Sequence, residues 1–185
     1  MIPEKNGWKL LKSESGPDLV LFKVRYDYQQ NLRNDSVIKA VVLESMDSAN
    51  VVAITAENRI LMVRQYRFGT QNVTYELPGG LLEPEEESHV AVQRELQEET
   101  GYTGKDWTYL GAIDANSVFM DSQIHHWLLK NATRTDVQVL DDGENLEVFE
   151  FSIEKIKEMV QTGKISHPHT LSALARVIQL WPPMI

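Results

Sequence analysis

The chain contains no cysteine. That excludes disulfides, thiolate metal sites and a cysteine nucleophile, and it is compatible with a reducing cytoplasm, the compartment expected here. No run of about 18 apolar residues occurs, so no membrane span and no membrane partner are expected. The opening stretch MIPEKNGWKLLKSES has no apolar core of the length a signal peptide needs. Basic residues are the scarcer charge, 18 Lys and Arg against 27 Asp and Glu, for a net charge of -9. Nonspecific nucleic-acid binding relies on cations that neutralise phosphates, so no nucleic-acid partner is expected. A small polyanionic substrate is compatible with this balance, because bound metal ions invert the local field. Neither GxxxxGKS/T nor HExxH occurs, which leaves P-loop and zinc-protease chemistry without support. There is no internal repeat and no low-complexity linker.

What is present suits one globular domain with a full core and a small appended element: 185 residues, 42% hydrophobic and 24% charged. Strands are predicted at 19–28, 36–44, 50–55, 59–66, 107–113, 123–129 and 147–152, from alternation and from β-branched residues. Helices are predicted at 84–100, 153–162 and about 171–180, the last stopped by Pro182-Pro183.

Residues 80–102, GLLEPEEESHVAVQRELQEETGY, are the most informative segment. Pro84 suits a first helical turn, acidic residues suit a helix N-terminus, and Gly101 suits the position past a C-terminus. Helical spacing puts Ala91, Glu95, Glu98 and Glu99 on one broad face, beside an apolar stripe of Val92 and Leu96. Residues 83–99 hold seven Glu against one Arg, a density that repels itself unless cations or solvent neutralise it. A Glu-rich stretch alone reads as a solvated acidic helix. The preceding Glu76-Leu77-Pro78-Gly79-Gly80 changes that reading, because a Pro-Gly-Gly turn lets backbone carbonyls approach a ligand closely. Loop carbonyls and a row of carboxylates supply the hard oxygens that Mg²⁺ or Mn²⁺ prefer.

The order Gly80, Glu86, Arg94-Glu95-Leu96, Glu98-Glu99, Gly101-Tyr102 resembles the Nudix box, in which an aliphatic residue usually stands where this chain has Tyr102. The resemblance implies an α/β fold, the Nudix α/β/α sandwich with a mixed sheet. It places a hydrolase domain at 46–185 after an N-terminal β-rich element at 1–45. In the ADP-ribose pyrophosphatase branch such an element builds a homodimer, so a homodimer is expected.

The resemblance also implies site roles. Glu95 and Glu99 are the principal metal ligands, Glu98 stands beside them, the Gly79 carbonyl completes the site, and Arg94 orients the carboxylates. Glu86 anchors the loop. The ion expected is Mg²⁺ or Mn²⁺. A metal-activated water attacks a diphosphate, and a general base lies in the acidic loop Asp141–Glu147, with Glu144 favoured over Asp142 or Glu147. Arg67, in Arg64-Gln65-Tyr66-Arg67, contacts substrate phosphate, a bidentate role suited to guanidinium. Tyr26, Tyr28 and Phe22 are candidates for stacking a base. His125-His126 alternates across a strand and reads as structural, and His167-Pro168-His169 as a loop and cap. The branch usually carries a proline beyond the box, and the matching stretch Asp114–Phe119 has none. The expected substrate is therefore a nucleoside diphosphate sugar, ADP-ribose among others. The alternatives are a Nudix pyrophosphatase acting on triphosphates, dinucleotides or another nucleoside-diphosphate-linked compound, and a non-catalytic sensor of an ADP-ribose-type ligand.

Overall fold

In the computed structural model, which describes residues 7–140 and 143–181, backbone pairing organises most of the chain into strands. In order these are β1 (Trp8–Asp18), β2 (Lys23–Asn31), β3 (Val37–Glu44), β4 (Ser48–Thr55), β5 (Arg59–Arg67), β6 (Asn72–Glu76) and β7 (Gly79–Leu81). There follow helix α1 (Ser88–Thr100), β8 (Tyr102–Thr103), β9 (Asp106–Asp114), β10 (Gln123–Arg134), β11 (Leu146–Ser152), α2 (Ile153–Gln161) and α3 (Pro168–Ala175). Contacts divide the chain into two units. One comprises residues up to Met46 with Asp114–Gln123, the other Asp47–Ile113 with the chain from Ile124 onward.

The larger unit is built on an 8-stranded mixed sheet with the path β11-β5-β4-β10-β8, while β6, β7 and β9 pair with β5, β4 and β10. The β4–β10 pair is parallel and its neighbours are antiparallel. Successive strand residues face opposite sides, and this alternation sorts the core. Val52, Ile60, Met62 and Leu128 pack with Ile156, Met159, Ala173 and Leu174, which belong to α2 and α3. Ala49, Val51, Ala53, Leu61 and Leu129 pack with Val92 and Leu96 of α1. Helices thus cover both faces, the layering expected of the sequence.

The smaller unit contains the antiparallel sheet β1-β2-β3. Segment 114–123 joins it through Leu43 N–H donating to Phe119 O and through Arg25, which pairs with both Glu44 and Asp121. The 46–185 domain expected from the sequence reading includes this segment, which contacts group with residues up to Met46. The reading also missed β1, whose polar residues are almost all exposed and show no buried alternation.

Two helix boundaries differ from expectation. α1 begins at Ser88, not at Pro84. Glu86 N–H closes a turn onto Glu83 O and Glu85 is left-handed at φ 65°, so residues 84–87 precede the helix. α3 begins at Pro168 and ends at Ala175, earlier than expected at both ends. Proline is preorganised for the first helical position. No helix among the described residues is long and apolar enough to cross a membrane.

His126 is fully buried, with its ring nitrogens 2.8 Å from Asn50 Oδ1 and 3.1 Å from Ser172 Oγ. Burial, reinforced by Arg176, His169 and His125, pushes its pKa from 6.5 down to about 4. Its contribution to stability is fully present above pH 6.5 and is lost as pH falls toward about 4, because only the unfolded chain takes up the proton. The loss between pH 7 and pH 5 is roughly 2 kcal/mol. Glu95 and Glu99, whose pKa values burial raises, contribute in the opposite sense, and other groups titrate as well, so the quantity to measure is a difference. Urea unfolding of wild type and His126→Gln at the two pH values should show the variant losing less. Equal losses would rule out His126 as the titrating group.

Candidate active site

A cavity of about 1010 Å³ opens within the larger unit, lined by β5, β6, the 79–84 loop, α1, the segment before β11 and the start of α3. Each wall follows from local structure. On β5, Gln65 and Arg67 line the cavity, while Arg64, one residue before them and on the opposite face, pairs with Glu147 of β11 at 2.7 Å. On β6, Thr74 and Glu76 line it by the same two-residue period. On α1, burial of Ala91, Val92 and Leu96 against the sheet fixes the rotation of the helix, and Glu95 and Glu99, one turn apart, line the cavity.

The glycine loop is shaped by these carboxylates. Gly79 has φ 148°, and its N–H donates to Glu99 Oε2 at 2.8 Å. A side chain there would strike the backbone of Ala49 and Asn50, and one at Gly80 would collide with the Glu95 carboxylate. Arg94 binds from all three guanidinium nitrogens. Nε and Nη2 clamp Glu86 at 3.1 Å each, Nη1 donates to Glu95 at 2.9 Å and Glu98 at 3.1 Å, and Nη2 also reaches Leu81 O. Glu86 accepts the Glu83 N–H as well, at 2.9 Å.

Charge in this corner is poorly balanced. Glu99 is 3% exposed, and burial pushes its carboxyl well above the usual range, with Glu95 and Glu144 adding repulsion and only the Gly79 N–H and Arg67 opposing. Burial also raises Glu95, with Arg94 opposing and Glu98 and Glu144 reinforcing. Among the described residues no three His, Cys, Asp or Glu side chains are gathered to ligate a metal by themselves; Glu95 and Glu98 both turn to Arg94. The donor chemistry nevertheless fits a divalent cation, which commonly takes a few carboxylates and completes its shell with water and substrate phosphate. Hard oxygens, excess negative charge and a bare glycine backbone against Glu95 meet in one place.

The structure therefore brings Gly79, Arg67, Arg94, Glu95, Glu99 and Glu144 onto one cavity. Glu98, also held by Arg94, is 45% exposed. Of the other candidates for the base, Glu147 faces Arg64, and Asp142 lies outside the described residues. Tyr26 and Tyr28 belong to the smaller unit, where Lys39 lies 3.8 Å from the Tyr26 ring centre, Lys12 lies 4.3 Å from that of Tyr28, and Tyr28 Oη donates to Glu14.

Sequence reasoning missed Glu76 as a site residue. Its carboxylate is 3% exposed and accepts both Arg67 Nε at 2.8 Å and Nη2 at 2.7 Å, with the Thr74 hydroxyl at 2.5 Å. Burial works against its charge, but Arg67 and Thr74 outweigh burial and hold its pKa below the usual range. His167 and His169 also line the cavity, and the His167 ring approaches Glu76 at 3.5 Å. Burial, with His169 and Arg67, lowers the His167 pKa against the pull of Glu76.

A family model described as a NUDIX domain matches residues 44–174. An ADP-ribose pyrophosphatase of Bacillus subtilis is 31% identical over 77% of this chain and 78% of its own length. A methanol dehydrogenase activator of Bacillus methanolicus is 30% identical over the same shares, 77% and 78%. A solved structure titled as that of an ADP compounds hydrolase superposes with a TM-score of 0.80, covering 95% of this chain and 94% of that one at 19% identity, a likeness of fold.

Proposed function

We propose, for a chain that belongs to the NUDIX domain family, that it is a pyrophosphohydrolase of ADP-ribose and related nucleoside diphosphate sugars. The products are a nucleoside monophosphate and a sugar phosphate. Nudix hydrolases generally depend on a divalent metal, here taken as Mg²⁺ or Mn²⁺. The observation that carries the reading is a cavity in which buried, repelling carboxylates of α1 and the Arg67 guanidinium of β5 line facing walls, a setting suited to a polyanion that arrives with a cation.

Glu95, Glu98 and Glu99, with the Gly79 carbonyl, are the residues that would hold the ion. A bound divalent cation supplies Lewis acidity toward the diphosphate and toward water. Arg94 keeps Glu95 and Glu98 oriented. Arg67, whose Nε and Nη2 are held by Glu76, would donate to a phosphate from its Nη1 side. Glu144 takes the proton of the attacking water as its oxygen bonds to phosphorus and the bridging P–O bond breaks. Residues 1–45 are proposed as a dimerising β element ahead of a hydrolase domain at 46–185, with Tyr26 and Tyr28 available to a nucleobase. The compartment proposed is the cytoplasm, since a cysteine-free chain needs no oxidising environment.

The test is phosphate-coupled turnover with Mg²⁺ of ADP-ribose, hexose-linked nucleotides, dinucleotides and triphosphates, with light scattering on the same sample. ADP-ribose and sugar nucleotides should turn over fastest, by a dimer. Preference for triphosphates would move the protein to another branch. Tight ADP-ribose binding by a folded, metal-loaded protein without turnover of any diphosphate would make it a sensor, and a monomeric mass would remove the dimer.

A further inference from the structure

The segment Thr135–Val139 lies along the C-terminal end of α1. Thr135 and Asp136 N–H groups donate to Gly101 O at 3.0 and 3.1 Å, and Val139 N–H donates to Glu98 O at 2.8 Å. Gln97 Nε2 reaches Asp136 Oδ2 at 3.3 Å. The half-buried Gln138 completes the seam, as its Nε2 donates to Glu99 O at 2.8 Å and reaches Leu146 O at 3.4 Å. The last carbonyls of a helix have no partner within it, so this carboxamide satisfies a group the helix leaves open. It also bridges two points that matter together. One is the turn that carries Glu95, Glu98 and Glu99. The other is Leu146, the buried first residue of β11, two residues beyond Glu144.

We propose that Gln138 is a positioning residue, whose carboxamide ties the chain around Glu144 to the carboxylate-bearing end of α1 and so sets the base against the metal-binding carboxylates. The inference rests on the assignment of Glu144 as the base. It touches neither substrate nor ion and acts through that distance alone. A misplacement of about 1 Å at a reacting group can cost on the order of a hundredfold in rate.

The test is a double-mutant cycle. Gln138→Leu, which keeps the bulk and removes the donor, should lower kcat about tenfold to a hundredfold, with KM and the Mg²⁺ midpoint within about twofold. In the Glu144→Gln background the same change should cost almost nothing, because the base it positions is gone. An equal loss in both backgrounds, or a wild-type kcat in Gln138→Leu, overturns the proposal. Should Gln138→Leu fail to fold, Gln138→Asn, which withdraws the amide by one methylene, replaces it in the cycle. Amide hydrogen exchange supplies a readout independent of activity. Val139 and residues 143–146 should exchange faster in the variant while the first turns of α1 do not, and unchanged exchange overturns the tether. A wild type inactive on every diphosphate overturns the hydrolase reading instead, and exchange then decides the tether alone.

Discussion

Glu99→Gln is expected to lower kcat by more than the roughly 10–100-fold that follows loss of a metal ligand's outer partner, and at the same time to raise the stability of the metal-free protein. The two effects share one cause. Glu99 is almost wholly buried, and its negative charge is disfavoured by burial and by Glu95 and Glu144. Glutamine keeps an oxygen to accept the Gly79 N–H and removes the charge. Because the folded-state pKa of Glu99 is raised, its favourable contribution is complete below the ordinary value of 4.5 and is lost as pH rises through the folded value. In wild type stripped of metal by chelator, stability near neutral pH is therefore held down by this group. The variant should melt higher there, by roughly 2–4 °C per kcal/mol recovered for a chain of this size, and should gain less Tm on adding Mg²⁺. A variant that stays active, or one whose Mg²⁺-induced Tm gain equals that of wild type, would remove Glu99 from the ion site.

That pairing of lost activity with gained stability separates a site from a scaffold. Proteins hold strained or charge-frustrated groups where function needs them and offset the cost elsewhere. The aliphatic face of α1 supplies the offset here, with Ala91, Val92 and Leu96 inaccessible to solvent against the sheet. The same residues that stabilise the helix set its rotation and force Glu99 into the wall.

The parts legible in the sequence were those encoded within one helix or one strand. The carboxylate spacing on α1 is a local property, so the shared face of Glu95 and Glu99, which the structure turns to the cavity, is legible in the sequence. The strands with buried alternation were found because the core imposes period two on them. The N-terminus of α1 was misplaced because a run of glutamates looks like a dipole-adapted first turn, whereas Glu86 is drawn off by Arg94 and Glu83 into a loop. β1 was missed because neither of its faces carries a buried pattern, and pairing with β2 alone specifies it. Glu76 was passed over because its role depends on a hairpin register that sets Arg67 opposite Asn72. The turn residues Gly69, Thr70 and Gln71 were the available signal. Gln138 depends on a carbonyl 39 residues away, and no local pattern reports such a pairing.

Glu144→Gln is expected to lower kcat by roughly 10²–10⁴, the range for loss of a positioned general base, with KM and the Mg²⁺ midpoint almost unchanged. Glu144 lines the same cavity as Glu95 and Glu99 and is close enough for its charge to raise both of their pKa values. A group that near has two roles open to it, base or ligand, and the metal titration separates them. If Glu144 were a ligand, the Mg²⁺ midpoint would climb with the loss of rate, and excess Mg²⁺ would restore part of kcat. If it is the base, saturating Mg²⁺ restores nothing. Glu147→Gln is the internal control. Its carboxylate is spent on Arg64 at 2.7 Å on the opposite face of β5, so kcat should stay within about threefold, the worth of a surface ion pair of under 1 kcal/mol. A large loss in Glu147→Gln with none in Glu144→Gln would transfer the base to the strand and require β11 to shift its register against β5.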